Sequence, residues 1–450
     1  PNLKSEHLNK GQDILVRDTP MSISTISAKQ IADRMPLSVM DAVAYVPGIG
    51  LSSGEGNRDA LVFRGQRNTG DFYVDGVRDD VQHYRDFYNV EKIDVIKGPN
   101  ALIFGRAGSG GIFNRVRKEA NFNPNQKHEI KFSGGSYDHK RMTLDTGYVL
   151  NDKVAFRMNG LYEHSRSHRK GYKLQRYGIA PTVTFKPTSK TKIVIQAELF
   201  KDDRTADRGI PSQNGKPWKG GNKKSRDTFF GSAALSPTDT NKKAISMHID
   251  HEFNKNFKFR NRVHYAKFDK FYQNVYANGA VSDSNTVALG AYNDETDREN
   301  FFNQTDLLFN LNTGPIKHNI ITGLEVSRQV TKQLRQKGTF ASSSTVSAFD
   351  PTYRGAISWA PYGAGSGKSN HSISTSAVGV YIQDHMELHP MVHVTAGVRY
   401  DRFEQDARNR YTDSTLRSRD DHISPRFGLI LKPLKRLSVY GSWSMTHQPR

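Results

Sequence analysis

The sequence predicts a transmembrane antiparallel β-barrel preceded by a mixed α+β domain, and three observations carry that prediction. First, the 450 residues have a mean hydropathy of −0.67. They contain no apolar run of about 18 residues, which excludes helical membrane spans but not barrel strands, whose apolar and polar residues alternate. Second, from about residue 126 onward the pattern has period two in long segments. Third, the connections between those segments alternate between tight and long, which an outer-membrane barrel requires and a soluble sandwich does not.

The first domain, taken as residues 1–125, opens with a capping box at Ser27 and Gln30 before "AKQIADRM", and Ser38 with Asp41 starts a second helix that Pro47 and Gly48 stop. Short strands follow at "ALVFRG", "DFYVDG" and "KIDVIKG", separated by polar loops containing glycine. In the second domain, residues 126–450, Met142, Leu144, Thr146, Tyr148 and Leu150 fall on one face, and Arg141, Thr143, Asp145 and Gly147 on the other. Val154, Phe156, Met158 and Tyr162 oppose Arg157, Asn159 and Glu163 in the next segment. About thirteen such strands are predicted, long for a soluble sheet. Tight links at 151–153, 187–190, 254–256, 312–315, 388–390 and 433–435 alternate with long ones at 203–242, 277–297, 337–372 and 405–420. A single-chain bacterial barrel has an even strand number and closes on itself, because unpaired backbone in lipid is costly. About thirteen strands ending at "SWSMTHQPR" therefore predict further strands beyond this sequence. The start at Pro1, without a leader, predicts a processed or cut product.

Composition narrows the chemistry. The chain has 65 Lys and Arg against 45 Asp and Glu, a formal charge of +20, which favours an anionic partner such as lipopolysaccharide, nucleic acid or a charged small ligand. Cysteine is absent, so disulfides, thiolate metal sites and cysteine nucleophiles are excluded. The glycine-rich "IDVIKGPNALIFGRAGSGG" lacks the Gly-Lys-Ser/Thr ending of a phosphate loop, and Phe113 stands where a dinucleotide fingerprint needs its third glycine. "GLSSG" matches an esterase elbow by letters but lacks the strand and helix around it. His164 and His168 lie where a strand gives way to a basic loop, and Asp79 and Asp80 lie in a loop.

The segments "TPMSIS" (19–24), "YVPGI" (45–49), "FRGQRNTGDFYVDGVRDD" (63–80) and "FYNVEKIDVIKGPNALIFGRAGSGGIFNRVRK" (87–118) resemble the TonB-dependent siderophore receptors, in family order and spacing. "GSYDHKRMTLDTGYVL" and "DDRTADRGIPSQNGKPW" look most like the catecholate-receptor branch. The resemblance implies a barrel of twenty-two strands around an N-terminal plug, of which roughly nine are absent here. It also implies that the glycines of 105–111 pack the plug rather than bind phosphate. Asp13 to Val16 is a faint candidate for the TonB box but reads better as plug, and "IFNRVRKEA" departs from the commoner ending, which has Thr before Lys.

On this reading the protein is an outer-membrane transport receptor of a Gram-negative bacterium and not an enzyme. It carries no cofactor, since iron arrives only as the chelated ligand. Its partners are a ferric siderophore, TonB with ExbB and ExbD, and outer-membrane lipid and lipopolysaccharide; it binds no nucleic acid and acts as a monomer. Three plug tips are expected to read the ligand: Asn57 and Arg58; Arg67, Asn68 and Thr69; and Arg78 to Arg85, with Arg78, Gln82, His83, Tyr84 and Arg85 as contacts. The basic loop 213–227 adds Trp218. Arg64 and Lys97 match plug positions where the family carries cations that lock the plug to barrel carboxylates; the alternative is two solvated strand-end charges. A passive porin, a secreted β-rich adhesin, and receptors for haem, cobalamin or ferric hydroxamates are the competing functions.

Overall fold

The computed structural model describes residues 18–52, 54–98, 101–105, 110–126, 128–220, 226–361, 370–434 and 436–447, with the side chains of residues 68, 101 and 103 outside the description. The plug begins with β1 (Ser22–Ser27), α1 (Ala28–Arg34) and α2 (Val39–Val43). Both helices start where the caps predict: Gln30 N–H donates to Ser27 Oγ at 3.3 Å and Asp41 N–H to Ser38 Oγ at 3.2 Å. There follow β2 (Ile49–Ser52), β3 (Ala60–Phe63), β4 (Gln66–Asn68), β5 (Phe72–Val74), β6 (Val77–Arg78), β7 (Val90–Lys97), α3 (Ala101–Phe104) and β8 (Gly111–Arg117). They form a five-stranded sheet in the order β1-β7-β8-β5-β6 and a three-stranded sheet β2-β3-β4. Ile26, Val39, Leu61, Phe63, Phe72, Ile93 and Phe113 are the shared core.

The packing role expected of the plug glycines is met at Gly111. Its φ is +148°, and a Cβ there would lie 2.4 Å from Ile96 O and 2.8 Å from Phe63 Cδ1. Arg106 to Ser109 of the same loop lie outside the described residues, as does the Asp13–Val16 segment.

The barrel wall is one antiparallel sheet. It starts with β9 (Glu129–Gly135), β10 (His139–Val149), β11 (Val154–Ser165), β12 (Leu174–Thr188) and β13 (Thr191–Thr205). After a loop hairpin of β14 (Ser212–Gln213) and β15 (Lys216–Pro217) it continues through β16 (Pro237–Asn254), β17 (Phe257–Ala277), β18 (Thr286–Thr313) and β19 (Ile316–Phe340). Loop strands β20 (Thr345–Ser347) and β21 (Ile357–Pro361) precede β22 (Asn370–His389), β23 (Val392–Asn409), β24 (Thr415–Leu434) and β25 (Leu437–Ser444). Thirteen strands lie on the main path, and its outermost members, β9 and β25, each pair on one side. Residues 118–128 join β8 to β9.

Register puts the predicted faces where the alternation requires. Met142 pairs with Tyr162 and Tyr162 with Tyr177, all exposed on the outer wall, with the two tyrosine rings 5.5 Å apart. One residue along, Arg141 pairs with Glu163 on the lumen side. Outward Ile179, Ile195, Tyr265, Phe301 and Val380 continue the apolar band that lipid covers.

The tight links fall where expected, but the long ones are shorter than the sequence suggests. Most of 277–297 belongs to the ladder of β17 and β18, the latter 28 residues long. Beyond the lipid both faces of a strand are wet, so the apolar alternation fades while backbone pairing continues.

Candidate functional site

At the end of the barrel opposite the tight turns, the plug tips meet the upper wall. The first tip is a 3-10 turn, Gly54–Gly56, in which Glu55 adopts left-handed dihedrals (φ 62°, ψ 18°). Gly56 sits so close to the wall-side loop that a Cβ would lie 2.4 Å from Asp207 O. Arg58 donates to Glu55 Oε2 at 2.9 Å, and buried Asn57 accepts from Lys270 Nζ of β17 at 3.3 Å.

The second tip is sparser. Arg67 on β4 is exposed and makes no ion pair among the described residues, and Thr69 accepts from Gln82 Nε2 at 3.4 Å. The side chain of Asn68 lies outside the description.

The third tip is organised from inside. Arg85 is 1% exposed; it donates to Asp79 Oδ2 (3.1 Å), His83 O (3.1 Å) and Val81 O (2.9 Å), and its guanidinium lies 4.0 Å from the Phe72 ring centroid. It is the pin that closes the loop and is not open to a ligand, contrary to the expectation from sequence. His83 is likewise buried, its ring 5.4 Å from that of Phe268. Burial, and next the Arg85 charge, hold the imidazole well below its usual pKa, so it is neutral. Arg78 turns back into the plug, onto Asp71 (3.1 Å) and the Tyr73 hydroxyl (2.6 Å). Gln82 is exposed at the tip, and Tyr84 is half-buried. The Gln82 carbonyl accepts from Lys270 Nζ at 2.5 Å, and the Arg204 guanidinium lies 3.8 Å over the Tyr84 ring.

The wall supplies residues that the sequence reading missed. Arg208, just past β13, donates to the hydroxyls of Tyr272 (2.9 Å) and Tyr292 (2.8 Å) and lies 3.7 Å over the Tyr276 ring. Arg335 lies 5.0 Å over Tyr292. "DDRTADRG" was the available signal, but Arg208 gains its phenol cage only through the β17–β18 register, which no local motif encodes. Trp218 is corrected as well: it is 4% exposed, packs on Phe230 (5.7 Å) and Phe349 (5.4 Å), and belongs to the apolar core of the loop cap with Val275, Val281 and Tyr353.

Below the tips, ion pairs fix the plug to the wall, and among the described residues Arg64 and Lys97 take no part in them. Arg64 is exposed with no ion pair among the described residues, and Lys97 donates to Pro47 O within the plug at 3.2 Å. The anchoring groups are chiefly plug carboxylates. Asp86 accepts from Arg141 of β10 at 2.7 Å and Arg176 of β12 at 3.0 Å, and Asp80 from Arg298 of β18 at 2.7 Å. Burial alone would raise the Asp86 carboxyl; Arg141 and Arg176 outweigh it and hold it far below the usual range. Arg117 bridges Asp75 (2.6 Å) to Ser246 of β16 (2.7 Å), and Asn89 donates to Glu198 of β13 at 3.2 Å. Wall glycines receive the plug where it is bulky: a Cβ at Gly178 would lie 2.7 Å from the Tyr88 ring, and one at Gly397 would lie 2.6 Å from Leu102.

Comparison with known proteins agrees with this architecture. Residues 181–450 match the family model described as TonB dependent receptor-like, beta-barrel, and residues 15–112 match the TonB-dependent Receptor Plug Domain. The ferrichrome outer membrane transporter/phage receptor of Escherichia coli K12 is 26% identical over 466 residues, covering 97% of this chain and 62% of the relative. The catecholate siderophore receptor Fiu of the same strain is 28% identical over 421 residues, covering 87% of this chain and 54% of the relative. The open-form crystal structure of that ferric-catecholate import receptor superposes with a TM-score of 0.83 at 23% identity, over 97% of this chain and 71% of its own. The siderophore receptor PiuA of Acinetobacter baumannii gives 0.85 at 24% identity, over 98% and 66%. At these identities the structural likeness speaks for the fold. The chain spans about three fifths of the length of the first curated relatives it matches.

Proposed function

The chain belongs to the TonB-dependent receptors, outer-membrane β-barrels of Gram-negative bacteria, and from that premise we propose that it binds and imports an anionic ferric siderophore, of the catecholate class. The observation that carries the reading is the cluster over the plug tips, where the partly exposed Arg58, Arg208, Lys270 and Arg335 stand beside Tyr276 and Tyr292. A ferric catecholate is an anion with planar aromatic faces. Guanidinium groups stay charged and stack on such faces, and phenols add both ring surface and hydrogen bonds.

Iron enters only as cargo inside the chelate, and the protein performs no chemistry on it. Binding alone shifts an equilibrium by no more than its differential affinity, so uphill import needs an external supply of energy. TonB, with ExbB and ExbD, fills that role by pulling on the plug from the periplasm. The receptor acts as a monomer, with lipid and lipopolysaccharide against its outer face. A passive porin is disfavoured because the plug lies against the inner wall and is tied to at least five of its strands by ion pairs and hydrogen bonds.

The test is a titration of the receptor with an iron(III) tris-catecholate and a neutral iron(III) tris-hydroxamate, paired with growth on each as sole iron source in strains with and without TonB. Tighter binding of the catecholate and TonB-dependent growth are expected. Equal affinity for the two, or growth that survives loss of TonB, refutes the proposal.

A further inference from the structure

The first plug tip already holds an anion of its own. Glu55 Oε2 accepts from Arg58 at 2.9 Å and from the Tyr292 hydroxyl at 2.9 Å, and lies 3.6 Å from Arg208 NH2. Among the described residues it is the only carboxylate within ion-pair distance of either arginine. Neighbouring cations are satisfied differently. Arg204 has Asp202 and Arg335 has Asp294, whereas Lys270 reaches only the neutral oxygens of Asn57 and Gln82. Arg58 and Arg208 thus share one carboxylate, and Lys270 beside them has none within ion-pair distance among the described residues.

That carboxylate is placed at some cost. Glu55 is a non-glycine residue at φ 62°, a conformation that glycine adopts freely and other residues seldom do. The turn behind it is jammed on the wall side, with Gly56 against the Asp207 backbone. A third of the Glu55 side chain, 32%, stays exposed, so a larger anion can reach the same arginines. The Arg58 Nε is buried without an acceptor, leaving a donor that Glu55 does not use.

We infer that Glu55 is a built-in stand-in for the ligand's anion: it latches the plug tip Gly54–Arg58 to Arg208 and Tyr292 of the wall, and an anionic siderophore displaces it, freeing the tip. The inference rests on the receptor reading above and adds the step by which occupancy at the outer face is registered by the plug. Ion pairing and backbone strain act together here. While Glu55 is paired, the left-handed turn is held by charge; once the ligand takes over Arg58 and Arg208, only the hydrogen bonds from Lys270 to Asn57 and from Tyr272 to the Glu55 carbonyl remain. The apparent affinity of the wild type is lowered by the fraction of time the latch is closed.

The experiment uses the purified receptor in detergent, as wild type, Glu55→Gln, Tyr292→Phe and Arg208→Ala, with iron(III) tris-catecholate as the probe. Amide hydrogen exchange is read over residues 54–58 with and without it. In the ligand-free protein, Glu55→Gln is expected to exchange about tenfold faster than wild type at these amides, and to bind the probe about tenfold more tightly. Tyr292→Phe speeds exchange at these amides by less, because it removes one donor to Glu55 and no charge. Arg208→Ala weakens binding. In the wild type, the probe raises exchange at 54–58 while protecting the tip around Gln82. Unchanged exchange and affinity in Glu55→Gln, or protection of 54–58 on binding, overturns the latch and leaves the receptor reading standing, since the wild type has bound the probe. If the probe does not bind the wild type, the catecholate reading fails and the latch falls with it.

Discussion

Replacing Asp86 with Asn tests whether plug carboxylates, rather than Arg64 and Lys97, hold the plug to the wall. Asp86 accepts from Arg141 NH1 (2.9 Å) and NH2 (2.7 Å) and from Arg176 NH1 (3.0 Å). Asp86 and Arg176 are 2% and 3% exposed at the side chain, so solvent screening is slight. A hydrogen bond to a charged group contributes roughly 1.5 to 3 kcal/mol, and a stranded buried charge costs about 3 to 5 kcal/mol. Neither arginine is stranded by the substitution, because Arg141 keeps Glu163 at 2.6 Å and Arg176 keeps Asp202 at 2.7 Å. Asn also retains an oxygen for the Phe87 and Tyr88 amides, which Asp86 accepts at 2.7 and 3.0 Å. The expected loss is therefore about 2 to 3 kcal/mol of local stability, or about 30- to 150-fold faster hydrogen exchange at Phe87 and Tyr88. The pH dependence has a definite sign. A carboxyl depressed below its unfolded value of about 3.9 stabilises fully above that pH and loses its contribution as pH falls through the folded value, so wild type and variant converge in acid. Arg64→Ala and Lys97→Ala should leave these amides unchanged. Exchange altered by less than about threefold in Asp86→Asn, or acceleration in either control, refutes the assignment.

Arg85→Ala should loosen the loop from Asp79 to Asp86, seen as new protease cleavage there, because it removes a buried guanidinium that ties three backbone carbonyls of that loop. Arg67→Ala should shift stability by no more than about 0.5 kcal/mol in a denaturant titration, since the side chain is exposed and unpaired among the described residues; a loss of ligand affinity there would mark direct contact. Trp218→Ala removes a core residue of the loop cap and should cost about 3 to 5 kcal/mol locally, read as faster proteolysis of 206–236 with exchange in the plug unaffected. Gly178→Val drives a side chain into the Tyr88 ring and should displace the plug, raising permeability to large antibiotics; an unchanged permeability would mean that the wall yields instead.

Period two is a local property, so the sequence by itself determined the barrel, its inner and outer faces and the tight-turn end. Arg141, Asp145 and Glu163 read as lumen residues from their neighbours alone, and the two helix caps read equally well because Ser27 with Gln30 and Ser38 with Asp41 lie three residues apart. The identity of the plug followed from motifs whose glycines are required by close backbone contacts, as at Gly111. What the sequence could not assign was the task of each cation. Arg58, Arg67, Arg78 and Arg85 look alike in a loop-rich stretch, yet one pairs with Glu55, one stands exposed, one turns inward and one is a buried pin. Each role depends on which acceptors the fold brings within about 3 Å, and those partners are remote: Tyr292 is 237 positions from Glu55, and Arg176 is 90 from Asp86. The basic and polar neighbours of Trp218 point to a ligand contact, and only the folding of separate loops over it makes it a core residue. Side-chain direction along a strand is set by the next residue, whereas ion pairing across a plug and wall is set by register summed over many strands, and that sum exists only in the tertiary structure.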